Sequence, residues 1–180
     1  MRAVYTIGHS TRSLDEFVAL LAGPPVAGIA DVRRFPSSRR HPHFGGPALA
    51  GALAERGIEY RHFLGLGGFR LPRSGSPHIT WKVAAFRGYA DYMETEEFAE
   101  SLRGLEGWAT KAAVALMCAE ADPSHCHRQL IADALTRDGF AVWHILEPGR
   151  TPRHTLTLGV RVENGRLIYD GGAALDLPGV

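Results

Sequence analysis

The stretch LMCAEADPSHCHRQLIADAL, residues 116–135, decides how the rest of the chain is read. It closes an apolar run, Ala112 to Cys118, crosses a polar loop, and enters a helix with Leu130, Ile131, Ala134 and Leu135 on its apolar stripe. A strand that ends in a polar loop and continues into a helix N-terminus is a building unit of parallel α/β sheets. Ligands of such sheets bind beyond the carboxyl ends of the strands, where N–H groups and the helix dipole favour an anion or a thiolate. Both cysteines, Cys118 and Cys126, fall in this stretch, together with Glu120, Asp122, His125, His127 and Arg128.

Outward from it, short apolar runs alternate with helical patterns. Ala3–Ile7 reads as the first strand and stops at Gly8-His9-Ser10. Ser13 and Glu16 form a capping-box pattern before a helix with Phe17, Val18, Leu20 and Leu21 on its buried face. Val26–Val32 is the second strand, and a helix over 48–56 begins behind Pro47 and stops at Gly57. Ile58–Phe63 is the third strand. Residues 71–85 read as irregular and 86–108 as one helix. Phe140–Leu146 is the fifth strand, after Ala112–Cys118 as the fourth. Thr155–Val162 and Leu167–Tyr169 alternate around Asn164-Gly165, a hairpin signal. The expected fold is a three-layer α/β sandwich with a mainly parallel sheet of about five strands and a C-terminal β-hairpin.

With 180 residues, the chain suits a single domain over 1–180, with an α/β core at 1–150 and the hairpin extension at 151–180. A net charge of +1 neither requires nor excludes nucleic acid, so local distribution must decide. No apolar run is long enough to span a membrane and the first residues do not form a signal peptide, so no membrane association is expected. Two cysteines without an export signal suggest a reducing, cytoplasmic setting.

The distribution is uneven. Residues 33–44 hold Arg33, Arg34, Arg39, Arg40, His41 and His43 and no acid. Guanidinium forks bind phosphate, and the interleaved Phe35 and Phe44 suit base stacking; a solvated loop with its aromatics in the core is the competing reading. Cys126, beside His127 and Arg128 at a helix start, has the surroundings that lower a thiol pKa. Cys118 is either a second functional thiol or a small buried strand-end residue. Glu120, His9 and Asp31 are candidate acid/base or orienting groups. Arg33, Ser38, Arg39, Arg70 and Arg128 are candidate anion contacts. His9, Cys118, His125, Cys126 and His127 are also metal-ligand types, but no C-x2-C or H-x3-H spacing supports a site, so no metal ligand or cofactor is assigned and zinc stays a lesser alternative.

Five motifs, YTIGHS (5–10), DVRRFPSSRRHPHF (31–44), YRHFLGLGGFR (60–70), FRGYADYM (86–93) and LMCAEADPSHCHRQLIADAL (116–135), resemble, in that order, domain-of-unknown-function family 488. The resemblance implies an α/β fold and a site built from these motifs, but no reaction. A weaker likeness to rhodanese domains rests on Ile29-Ala30-Asp31-Val32-Arg33 and Leu116-Met117-Cys118. It fails at the loop, since neither cysteine stands in C-x5-R spacing with Arg128, which argues against sulfur transfer and phosphatase chemistry. The expected function is an enzyme acting on a phosphate-bearing small molecule or nucleic acid. Alternatives are a non-catalytic nucleic-acid-binding module and a zinc-stabilised interaction domain.

Overall fold

The computed structural model describes residues 2–172. Strands β1 (Arg2–Gly8), β2 (Gly28–Asp31), β3 (Glu59–His62), β4 (Val114–Cys118) and β5 (Phe140–Ile145) form one parallel sheet in the order β3-β2-β4-β1-β5. Every residue of β4, VALMC, is buried. A central parallel strand is covered on both faces, which explains why its sequence is continuously apolar rather than alternating. Val114, Leu116 and Cys118 point to one face, Ala115 and Met117 to the other.

Helices α1 (Leu14–Leu21) and α2 (Gly46–Ala54) cover the second face through Phe17, Leu20, Leu49 and Leu53. Helices α3 (Ala84–Tyr92), α4 (Glu96–Ala109) and α5 (Arg128–Arg137) cover the first through Tyr89, Phe98, Leu105, Leu130 and Ile131. The three layers are thus those read from the sequence. The capping box is present: the Glu16 N–H donates to Ser13 Oγ at 3.2 Å and the Ser13 N–H to Glu16 Oε2 at 2.7 Å.

One helix was expected over 86–108, and two are found. The break falls at Met93–Thr95, where Thr95 Oγ1 donates to the Tyr92 carbonyl at 2.7 Å and accepts from the Phe98 N–H at 3.3 Å. Thr95 followed by Glu96 and Glu97 is an N-cap with acids in the first turn, a start signal inside an otherwise apolar pattern.

The hairpin pairs β6 (Val160–Glu163) with β7 (Arg166–Tyr169) around Asn164 (φ 50°) and Gly165 (φ 76°). Its first strand is shorter than the alternating pattern suggested, since residues 155–159 form loop and turn; residues 173–180 of the expected extension lie outside the described residues. Val160, Leu167 and Tyr169 pack on the α3–α5 side of the core. A buried polar network ties the hairpin down. The carboxylate of Asp133, in α5, accepts from His154 Nε2 (2.9 Å), the Thr157 N–H (2.9 Å), Thr157 Oγ1 (2.7 Å) and Tyr169 Oη (3.0 Å). A carboxylate only accepts, so His154 Nε2 donates; His154 Nδ1 meets His144 Nε2 at 2.9 Å and His144 Nδ1 meets Thr6 Oγ1 at 2.7 Å, which carries the network to β1. His144 therefore belongs to the hairpin anchor.

Candidate functional site

Adjacency of β2, β4 and β1 brings their carboxyl-end loops together. His9 N–H donates to the Cys118 carbonyl (2.9 Å), Ser10 N–H to Ala119 (2.8 Å) and Val32 N–H to Met117 (3.0 Å). Space forces glycine at position 8: a Cβ there would stand 1.8 Å from the Glu120 carbonyl oxygen. Beyond Glu120 the loop turns on Asp122, whose Oδ1 accepts from the Ser124 N–H (2.8 Å) and Oγ (2.7 Å). Cys126 is extended and directly precedes His127, the N-cap of α5.

The Sγ atoms of Cys118 and Cys126 and a ring nitrogen of His127 all lie within 4.8 Å of one another. His127 Nε2 donates to the Val32 carbonyl at 2.9 Å, which turns Nδ1 toward Cys126 Sγ at 3.7 Å. Arg128 Nε donates to the same sulfur at 3.4 Å. A hydrogen bond from Cys118, then the His127 ring and the Arg128 charge, hold the Cys126 thiol well below its ordinary pKa against the opposing effect of burial. The partner shifts the other way. Its hydrogen bond to Cys126, and then burial, push the Cys118 thiol well above the usual range. The pair is thus polarised, with the lowered thiol pKa at Cys126 and the raised one at Cys118.

Both sulfurs open onto a cleft of about 320 Å³. Arg33, Arg34 and Phe35 form one wall, Gly68 and Phe69 the second, and Phe86 and Tyr89 of α3 the third. Glu120 lines it too, and its carboxylate has no hydrogen bond or ion pair among the described residues.

Other residues named from sequence have different surroundings. Asp31 is buried and accepts from the Arg33 N–H (3.0 Å), Arg33 Nε (2.9 Å), Arg33 NH2 (2.6 Å) and Tyr60 Oη (2.7 Å). Arg33 also donates to the Phe44 carbonyl (2.8 Å) and, at 3.4 Å, to His9 Nε2, while His9 Nδ1 donates to the Ser10 carbonyl (2.9 Å). Burial, chiefly, lowers the His9 pKa to about 4, so its ring is neutral. Asp31, Arg33 and His9 thus form a braced unit beside the thiols, with most of their polar groups already partnered. Arg128 is 1% exposed and holds the loop through the Glu120 carbonyl, so it faces the sulfur and the loop rather than the cleft.

Farther out, Arg70 stacks on Tyr92 at 3.5 Å and Ser38 Oγ accepts from the His41 N–H. Neither lines the cleft, nor does Arg39, which is exposed on the basic loop. Phe44, read as a base-stacking candidate, is fully buried and stacks on His9 at 4.4 Å. Arg61 lies over Trp108 at 4.3 Å and does not line the cleft. Sequence reading missed Phe69 at the cleft and Asp133 in the core. Asp133 carried a signal, as an acid between Ala132 and Ala134 in a helix buried almost all round; Phe69 carried none beyond its glycines.

Fold and site together define a three-layer α/β protein with a Cys–Cys–His cluster at the carboxyl end of its central strand. Residues 13–135 match the family described as Domain of unknown function DUF488, and the chain belongs to that family. No curated protein and no solved structure matches the chain.

Proposed function

We propose that the protein is a cysteine-dependent enzyme acting on a phosphate-bearing substrate, a nucleotide or nucleic acid, in the cleft above Cys126. The observation that carries this reading is the Cys126–His127–Val32 arrangement, a lowered-pKa thiol 3.7 Å from a ring nitrogen whose partner nitrogen is fixed by a carbonyl. Nucleophile, base and orienting group are the parts that covalent catalysis needs. Cys126 Sγ is the nucleophile, His127 Nδ1 moves the proton, and Glu120 supplies a second acid/base at the cleft. Cys118 and Arg128 position and stabilise the thiolate. Phosphate falls to Arg34, Arg39 and Arg40, which form no ion pair among the described residues, rather than to Arg33 and Arg128.

The test is the pH profile of alkylation at each cysteine of the folded protein, with and without inorganic phosphate or a short oligonucleotide. Reaction of Cys126 well below pH 8 (the ordinary thiol pKa is about 8.5), slowed by the anion, supports the reading. Reaction only at high pH would leave a nucleic-acid-binding module without thiol chemistry.

A second reading is favoured by the clustering of the three ligand atoms. Tetrahedral zinc at ordinary bond lengths separates its sulfur and nitrogen ligands by about 3.6 Å, against 3.7 Å between Cys126 Sγ and His127 Nδ1. The Nε2–H to Val32 carbonyl bond is the kind of outer contact that orients a metal-bound histidine. Stoichiometric zinc in the purified protein, with both thiols protected until a chelator is added, would select this reading over the nucleophile.

A further inference from the structure

We infer that Phe35 and Phe69 form a clamp for a nucleobase at the mouth of the cleft, the base being carried on a nucleotide or single strand whose phosphates meet Arg34, Arg39 and Arg40. This gives the substrate class of the site described above and rests on that reading of the cleft. Two large rings face one another there in solvent: Phe69 is 82% exposed and Phe35 64%, with centroids 6.4 Å apart and planes tilted by 48°. Two stacking contacts of about 3.4 Å, the nucleic-acid rise, need about 7 Å. A modest rotation of these exposed rings therefore admits one planar base.

The backbone is built to hold Phe69 in place. Its φ is +62°, a left-handed conformation that is an outlier for a bulky side chain, and no buried contact of the ring offsets the strain. The approach depends on Gly68, where a Cβ would come within 3.1 Å of His127 Nδ1. The strained turn thus sets an unburied ring beside the Cys126–His127 pair. Across the cleft, Arg34 lies with its guanidinium carbon 5.8 Å from the Phe35 ring, and Arg39 and Arg40, without an ion pair among the described residues, follow on the same loop. A purely apolar ligand would not use the arginines, and inorganic phosphate would not use the rings. A base joined to phosphate uses both, as in single-strand binding on aromatic platforms.

The test is fluorescence anisotropy of an end-labelled single strand of thymidines against an abasic strand of the same length, with thymidine monophosphate as competitor. The wild type should bind the base-bearing strand about tenfold or more tighter than the abasic one. F35L and F69L should each lose about tenfold for the base-bearing strand and leave abasic binding unchanged. F69G should lose the same affinity while melting no lower than wild type, because glycine relieves the strained φ. Competition by the monophosphate assigns the clamp to free nucleotides, and its failure to compete assigns it to a strand. Equal affinity for the two strands, or undiminished binding by F35L and F69L, overturns the clamp. If the clamp fails while phosphate still slows Cys126 alkylation, the enzyme reading stands without it. A clamp that binds above an unreactive Cys126 removes the enzyme reading and leaves a binding module.

Discussion

Arg128 Nε donates to Cys126 Sγ across 3.4 Å, from a guanidinium that the fold buries almost completely. The same group bonds the Glu120 and Ala121 carbonyls, so one side chain both shapes the loop and places positive charge beside the thiol. Loop geometry and thiol chemistry are therefore coupled through Arg128.

Arg128→Lys should separate these two effects from simple loss of charge. Lysine keeps a positive charge but cannot bridge the sulfur and two carbonyls. Loss of stability of about 2–3 kcal/mol is expected, read as a fall in Tm of roughly 5–10 °C. The alkylation pKa of Cys126 should rise in the same variant. An unchanged Cys126 profile would show that Arg128 serves the loop alone.

Cys118 is the leading cause of the lowered Cys126 pKa. Cys118→Ala removes the donor and should move the Cys126 alkylation profile to higher pH, while Cys118→Ser retains a donor and should move it less. Peptide-resolved mass spectrometry of alkylation rates reads both variants.

Asp133→Asn should detach the hairpin. The amide replaces one acceptor oxygen with a donor, which then faces either the His154 and Thr157 N–H groups at Oδ1 or the Thr157 and Tyr169 hydroxyls at Oδ2. A cost of about 3 kcal/mol is expected in urea unfolding. Hydrogen exchange should accelerate over 155–172 before the sheet is affected, and uniform protection in the variant would contradict the anchoring role.

Acid should destabilise the protein through His144 and His9. Burial leads in lowering each to about 4, with the His154 charge adding at His144 and the Arg33 charge at His9. Unfolded histidine titrates near 6.5, so between there and about 4 the unfolded chain binds more protons. Their contribution is complete above about pH 6.5 and is lost as pH falls toward 4. Melting temperatures from pH 7.5 to 4.5 should fall across that window, less steeply in His144→Gln.

The opposite sign holds at Glu106. Burial, then its hydrogen bond and repulsion with Asp138, raise its pKa to about 7. The folded state keeps this proton above the ordinary carboxylate range, so stability falls as pH rises from about 4.5 to 7. Glu106→Gln should melt higher than wild type at pH 8 and no higher at pH 5.

Local chemistry was enough for the layers and for much of the candidate site. Apolar runs and periodicity located five strands in order, Asn164-Gly165 announced the hairpin, and Ser13 with Glu16 announced α1, because each signal acts over a few residues. Thr95 acts equally locally, yet the apolar periodicity running across it hid the break between α3 and α4. The residues 116–135 already held Cys118, Glu120, Cys126, His127 and Arg128.

Only the tertiary structure decided which of these face the cleft. Strand order set β2, β4 and β1 side by side, and that adjacency aimed His127 at Cys126 through the Val32 carbonyl, 95 positions away. It also committed Arg33 to Asp31, buried Phe44 and brought Phe69 opposite Phe35 in its place. An arginine reads the same in sequence whether its partner is a phosphate or a neighbouring carboxylate. The choice between them depends on burial and on contacts between distant segments, which only the folded chain creates.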